Sequence, residues 1–251
     1  MSTITAIILA RNEEKHIVDC IKSILFADEI LIIDDGSTDQ TVPLATELGA
    51  TVIPHSLNGD WAQQRRFGIS QSHSEWIVFI DSDERVSPEL AKSIQQAIQE
   101  EPKAYWLRRY NLFRHNQATH GVVRPDKVLR LMPREGASVE GAVHEAFISP
   151  YSQDTLKGKL YHYTYDNWDQ FFDKFNKYTT AAANKYKKQG KSCSFFGDII
   201  VRPIWAFLKI YILQGGIIDG KIGFLLSVYH MLYTMTKYVK LYYLNKSNGQ
   251  L

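Results

Sequence analysis

Three acids within four residues, Asp81, Asp83 and Glu84, end the apolar run Trp76-Ile-Val-Phe-Ile. Carboxylates crowded in this way repel one another unless a cation sits between them, and a hard divalent metal with oxygen ligands is the usual solution. A solvated acidic turn gives the same Asp-Ser-Asp pattern, so the meaning of the triplet depends on its company. Two more polar clusters follow apolar runs upstream: Arg11-Asn-Glu13-Glu14 after residues 3–10, and Asp34-Asp35-Gly36-Ser-Thr-Asp39 after residues 29–33. One acidic strand end is unremarkable. Three in one half of a chain, with Gly36 allowing close backbone approach, point to a site.

The elements that must position these residues follow from apolar spacing. Residues 3–10 read as a β-branched strand, and residues 13–26 carry helical spacing through Ile17, Cys20, Ile21 and Ile24. A strand over 29–33 leads to a helix opening near Thr38 or Asp39, whose side chains suit a cap, and ending near Leu48. Strand 50–54, helix 61–72 and the strand ending at Asp81 come next, then a helix that Pro88 opens and that stops before Pro102. Alternation of this kind predicts a parallel sheet with right-handed crossovers, whose ligands bind beyond the carboxyl ends of the strands. Strand-like segments over 104–113, 127–132, 145–148 and 156–163 predict a β-rich part. From residue 167 onward the pattern is helical, over 168–188, 195–213 and 217 to about 243, broken at Gly190, Gly215 and Gly216. The expected fold class is α/β: a mostly parallel central sheet, a β-rich lid or second subdomain and a helical C-terminal extension. The expected division is a first domain over 1–165, split after residue 103, and an extension over 166–251.

Leu9-Ala10-Arg11-Asn-Glu13-Glu14, Asp34-Asp35-Gly-Ser-Thr-Asp, Arg65 and Asp81-Ser82-Asp83, in this order and spacing, resemble the family 2 glycosyltransferases of the GT-A fold. The resemblance covers roughly residues 3–150. It implies inverting transfer from a nucleotide sugar with a divalent metal, Mg2+ or Mn2+. The Val143-His144-Glu145 stretch and the tail Asp219-Gly-Lys-Ile-Gly-Phe-Leu-Leu look, more narrowly, like bacterial lipopolysaccharide inner-core β-glucosyltransferases. That subgroup implies UDP-glucose as donor and the first inner-core heptose of a glycolipid as acceptor.

On this resemblance Asp83 matches the metal-binding acid, and Asp81 the acid beside ribose and metal. Asp35 matches the position that accepts a hydrogen bond from the base, a task suited to a carboxylate facing a uracil imide N–H. Asp34 either shares that role or caps its turn. Leu9, Ala10, Arg11 and Glu13 form walls around uridine, and Ser82 lies inside the acidic motif. Leu9 stands where the family often has Pro, and Arg11 where it often has an aromatic, so stacking there uses a guanidinium plane. Of the pair Arg65-Arg66, Arg65 is the expected diphosphate contact. Glu84 reads as structural. An inverting transfer needs a general base at the acceptor hydroxyl, on the side opposite the leaving group. Glu145 is the candidate, with Asp126 and Glu140 as alternatives; the family often has Glu-Asp at this step, and the Asp is missing here. His144 is a candidate for metal or phosphate, although neighbours on a strand face opposite ways. His162 is either a further metal ligand or a packed strand histidine.

Composition bounds the rest. The net charge of +2 conceals an asymmetry: residues 157–251 hold 14 Lys and Arg against 5 Asp and no Glu. A basic, aromatic-rich back half suits an anionic membrane surface, while helix packing or a homo-oligomer interface accounts for the same apolar content. Nucleic acid is not an expected partner. Cys20 and Cys193 are too far apart in sequence to form a ligand pair, and buried or idle thiols are expected. Arg11, Asn12 and two Glu interrupt the apolar start before a signal-peptide core is long enough, which predicts a cytoplasmic protein, peripheral at the inner face of the cytoplasmic membrane. A nucleotidyltransferase would carry a Gly-rich, basic phosphate loop after its first strand, and Leu9-Ala-Arg-Asn-Glu-Glu is not one. A non-catalytic binding module has no reason to keep costly like charges at three strand ends.

Overall fold

The computed structural model describes residues 2–113, 120–141, 145–165 and 168–247. The chain forms two compact units, one of residues 1–110 and 126–162, the other of residues 111–125 and 163–251.

The first unit is built on a sheet that begins β1 (Ile4–Ala10), β2 (Glu29–Asp34), β3 (Thr51–Pro54) and β4 (Trp76–Phe79). These four pair in parallel in the order β3-β2-β1-β4, with Ala10 opposite Asp34 and Ile7 opposite Phe79. Every residue of β1 and β4 is buried, because both faces of the strands are covered. Ile4, Ala6 and Ile8 face a core that includes Ile17, Cys20 and Ile21 of helix α1 (Ile17–Ser23) and Leu90, Ile94 and Ala97 of a later helix. Ile7, Leu9, Leu31, Ile33 and Phe79 form the opposite core, against which Phe67 and Ile69 pack. Helix α2 (Thr41–Glu47) links β2 to β3, and helix α3 (Trp61–Gln71) links β3 to β4.

Beyond β4 the sheet turns antiparallel. The short strand β5 (Glu84–Val86) leads into α4 (Pro88–Ala97), followed by β6 (Ala104–Phe113) and β7 (Asp126–Pro133). Strand β7 lies between β4 and β6, antiparallel to both. The small strands β8 (Ser138–Glu140) and β9 (Ala146–Ile148) form their own hairpin, β10 (Gln153–Thr155) pairs with β6, and β11 (Leu160–Tyr165) pairs with β5, placing His162 opposite Glu84. Strands β5, β8 and β10 have three residues each, too few for alternation to register in the sequence.

Two local expectations change. Helix α2 opens at Thr41 rather than at residue 38 or 39. The Asp39 carboxylate accepts from the Thr41 N–H and hydroxyl and from the Glu14 N–H, so it ties two loops together before the helix begins. Regular helix in 13–26 is confined to Ile17–Ser23, since the backbone N–H groups of Glu13 and Glu14 are bonded to Thr41 and Asp39 across the sheet end.

The second unit contains α5 (Trp168–Lys188), a continuous helix over 195–213 and α7 (Gly220–Lys246). The middle of the 195–213 helix, α6 (Arg202–Leu208), is α-helical, and its flanks, Phe195–Val201 and Lys209–Leu213, are π-wound. A buried cluster of Ala183, Ile199, Tyr238, Leu241 and Leu244 joins these helices. Residues 111–125, placed by the sequence pattern with the β-rich segment, group with the helices instead: Gly121–Val123 is a single turn whose Val123 packs with Leu226. Among the described residues no helix is long and apolar enough to cross a membrane.

The turn before β11 closes onto α4. The Ser87 hydroxyl, which caps α4 by accepting from Leu90, also accepts from the Lys159 N–H. A Cβ on Gly158 (φ +96) would meet the Leu90 backbone nitrogen at 2.4 Å. Gly158→Ala combines a left-handed backbone with a clash against main chain, and should destabilise the first unit by about 2 kcal/mol or more in urea unfolding.

Candidate functional site

The carboxyl ends of β1, β2 and β4 open into a cavity of about 620 Å³. Its lining includes Leu9, Ala10, Arg11 and Glu13 from the end of β1 and Asp35 from the end of β2. Arg65 of α3, then Asp81, Ser82 and Asp83 after β4, and Glu145 before β9 complete the set expected there. The three strand ends therefore meet, as the sheet order requires. Asp34 does not line the cavity: it is 5% exposed, and its carboxylate accepts from the Ser37 N–H and hydroxyl. The choice left open for Asp34 goes to the turn. Arg66 is also outside, donating to the Val139 carbonyl. His144 lies outside the described residues.

The first two loops are stitched together by reciprocal bonds. Asn12, held at φ 56, donates its N–H to the Ser37 hydroxyl and accepts from the Thr38 N–H through its side chain. Gln40 donates to Glu14 Oε2 while Glu14 donates to Asp39. Beside these contacts Asp35 takes Arg11 Nη1 at 2.9 Å on one oxygen and the Leu57 N–H at 2.8 Å on the other. A carboxylate has about four acceptor positions, so Asp35 keeps capacity for another donor.

The acids after β4 part company. Asp81 receives Arg65 Nη2 at 3.0 Å and Arg130 Nη2 at 2.5 Å, one on each oxygen. Burial opposes its ionisation, but the Arg130 and Arg65 charges outweigh this and hold its carboxyl well below the usual range. Glu84 is fully buried and accepts from the Asp81 N–H, the structural role expected of it. Burial and then the neighbouring Asp81 charge push its carboxyl upward. Asp83 faces the cavity with His162 Nε2 3.2 Å away. Burial opposes protonation of His162, but its hydrogen bond to Asp83 and the charge there more than offset this, so the imidazole holds its proton to higher pH than usual. Asp81 is thus engaged by two guanidiniums, whereas Asp83 stands at the cavity beside His162. Among the described residues no three His, Cys, Asp or Glu side chains converge as a complete cation site.

Glu145 accepts from Arg65 Nε at 3.4 Å and stands at the wall between the first cavity and a second, of about 450 Å³, lined also by Trp106, Arg109, Lys127 and Gln153. Neither alternative base reaches the first cavity. Asp126 is held by Arg109 through two bonds, 3.0 and 2.7 Å, and Glu140 is an exposed residue of β8. Residues missed in the sequence include Arg130, Arg109 and Trp61. The signal for Arg130 was a lone cation inside the apolar strand Val128-Leu-Arg-Leu-Met, and for Trp61 an exposed aromatic directly after the helix cap Asp60. Cys20 is buried, its thiol pushed up by desolvation, beside the Asp81 carbonyl at 3.5 Å.

Residues 5–138 match the family described as Glycosyl transferase family 2. The chain belongs to that family. An uncharacterized glycosyltransferase of Rickettsia typhi is 30% identical to it, over 91% of this chain and 82% of that one. The lipopolysaccharide core biosynthesis glycosyltransferase LpsC of Rhizobium meliloti is 28% identical over 95% of this chain and 92% of its own length. Among solved structures, TarS from S. aureus superposes with a TM-score of 0.48 at 14% identity, over 98% of this chain and 92% of that one. As a family 2 glycosyltransferase it carries the α/β fold of that family and a glycosyl-transfer activity.

Removing Arg130 tests the buried ion cluster. Because the Asp81 carboxyl lies below its ordinary value of 3.8 in the folded state, its contribution is present above that pH and is lost as pH falls through the folded value. Arg130→Met should cost about 1–3 kcal/mol at pH 7, since Asp81 keeps Arg65 and part of its hydration, and less as the medium is acidified toward protonation of Asp81. Urea unfolding at several pH values reads both effects.

Proposed function

We propose that the enzyme transfers glucose from UDP-glucose, with inversion, to a lipid-anchored acceptor at the inner face of the cytoplasmic membrane, the acceptor being the first heptose of the lipopolysaccharide inner core. The observation that carries the reading is the meeting of Leu9 to Glu13, Asp35, Arg65 and Asp81 to Asp83 on one cavity, with Glu145 between that cavity and a second one. The match to LpsC along nearly the full chain supports the class of acceptor.

In this reading Asp35 accepts the uracil imide N–H with the acceptor capacity left by Arg11 and Leu57, and the walls of residues 9–13 flank the nucleoside. Arg65 supplies positive charge toward the diphosphate from a fixed position, since Asp81 and Glu145 hold its guanidinium. Asp83 and His162, adjacent and both on the cavity wall, offer one carboxylate and one imidazole to a hard divalent ion. Mn2+ accepts both donor types, whereas Mg2+ would rest on the carboxylate of Asp83. Bound there, such an ion would neutralise charge on the departing diphosphate. The acceptor hydroxyl enters from the second cavity, where Trp106 and Gln153 are residue types suited to a sugar. Its oxygen bonds to the anomeric carbon as the bond to the diphosphate oxygen breaks, and Glu145 takes its proton.

Asp83→Ala should abolish transfer and UDP-sugar hydrolysis together, and transfer that persists in EDTA would sink the metal role. Glu145→Gln should keep UDP binding while kcat falls by about 10²–10⁴. His162 must lose its proton to bind an ion, so Mn2+ affinity measured by calorimetry should strengthen as pH rises above 6.5, and His162→Ala should flatten that dependence. A donor screen with radiolabelled UDP-sugars against membrane extracts, with mass analysis of the product, decides the hexose and the acceptor.

A further inference from the structure

Large apolar side chains on the surface are concentrated in one part of the second unit. Of the 22 exposed large hydrophobic residues among those described, 13 lie between Phe195 and Leu225. Along the 195–213 helix they form a stripe with a repeat of four: Phe196 (76% exposed), Ile200, Ile204, Leu208 and Ile212, widened by Val201 and Trp205. The π-wound ends make this repeat possible, since wider turns keep every fourth residue closer to one line than a pure α-helix does. The opposite side of the helix buries Ile199, Pro203 and Ile210. The turn after the helix extends the patch with Ile217 and Ile218. Scattered surface apolar residues need no explanation, but a contiguous band of this kind marks a surface that is covered in use.

The charges around the band select what covers it. Arg202, Lys209 and Lys221 are exposed within the same stretch. The two acids there are engaged: Asp198 holds Arg202 at 2.8 Å and the Ser194 N–H, and Asp219, 5% exposed on its side chain, bonds His120. In a two-fold dimer this band would face its own net-positive copy, with the two acids of the stretch already engaged and so not offered to Lys209 and Lys221. A helix with an aromatic and aliphatic face bordered by Lys and Arg instead fits a bilayer interface carrying anionic headgroups.

We propose that the helix over 195–213, with Ile217 and Ile218, lies in the plane of an anionic bilayer, its stripe sunk below the headgroups while Lys209 and Lys221 meet lipid phosphates. The inference rests on the reading of a membrane-borne acceptor and gives that reading a surface.

Purified full-length protein is mixed with vesicles of phosphatidylglycerol and phosphatidylcholine in equal parts, and with phosphatidylcholine alone. Wild-type protein should sediment with the anionic vesicles and less with the neutral ones, and salt should weaken the difference. Brominated lipid should quench a part of the tryptophan emission that Trp205→Phe removes. The pair Ile204→Glu/Leu208→Glu should lower partitioning by at least about tenfold, with an unchanged melting temperature and unchanged UDP-sugar hydrolysis. Should that pair prove unstable, Ile212→Glu/Leu213→Glu tests the same stripe. Equal partitioning of wild type and a folded stripe variant overturns the proposal, as does a dimer of the wild type that the variant dissolves without any vesicle binding. Vesicle binding by a protein that binds no UDP-sugar would leave this surface standing and remove the UDP-glucose reading.

Discussion

The carboxylate of Asp81, clasped between Arg65 and Arg130, is the interaction on which the site depends. Asp81 keeps 28% of its side chain exposed at the cavity while both of its partners are nearly buried, and such cations are tolerated only when a close, correctly aimed acid meets them. The partners come from α3 and β7, so satisfying one acid fixes a helix and an antiparallel strand against the end of β4. Phe147 lies 5.4 Å from the Arg65 guanidinium and 5.5 Å from that of Arg130, which seats β9 beside the pair. Glu145, two residues before Phe147, is thereby delivered to Arg65. The cavity wall is a chain of consequences from one clasped charge.

A different economy governs the ends of β1 and β2. There the bonds are small, numerous and reciprocal: backbone N–H groups of one loop reach side-chain oxygens of the other, in both directions. Loops held in this way present main chain at fixed positions, so little ordering is left for a ligand to bring about. The Arg11–Asp35 pair belongs to the same wall, although Arg11 is 66% exposed and therefore adds little to stability.

Much of this was legible beforehand because its causes are local. Strands covered on both faces must be apolar throughout, so β1, β2 and β4 announce themselves, and polar residues crowd where such strands end. The amphipathic helices follow from the same reasoning, and α5 occupies the span that its spacing predicts. What could not be read depends on pairing at a distance. Nothing within Val128 to Met132 says that Arg130 belongs to an acid 49 residues earlier. Likewise the sequence left His162 open between a ligand and a packed strand histidine, because its place beside Asp83 follows from the pairing of β11 with β5 and from the Gly158 turn against α4. Asp39 looked like a helix cap and proved to be a tie between loops, because the competing donor, Glu14, lies on another strand end. The widened turns at both ends of the 195–213 helix leave no trace in a periodicity measured at the α-helical value.

The order of these parts along the chain sets a seam. Residues 5–138, the stretch matched by the family, contain Asp81 and both of its arginines, whereas Glu145 and His162 come later. A genetic exchange with its junction just after residue 138 would carry the clasped acid across whole and replace the groups that stand opposite it, along with most of the helical unit. Such a chimera would keep the acid and its arginines but exchange Phe147 and Glu145, which touch those arginines, so the incoming stretch would have to supply an aromatic ring and an acid at the same places.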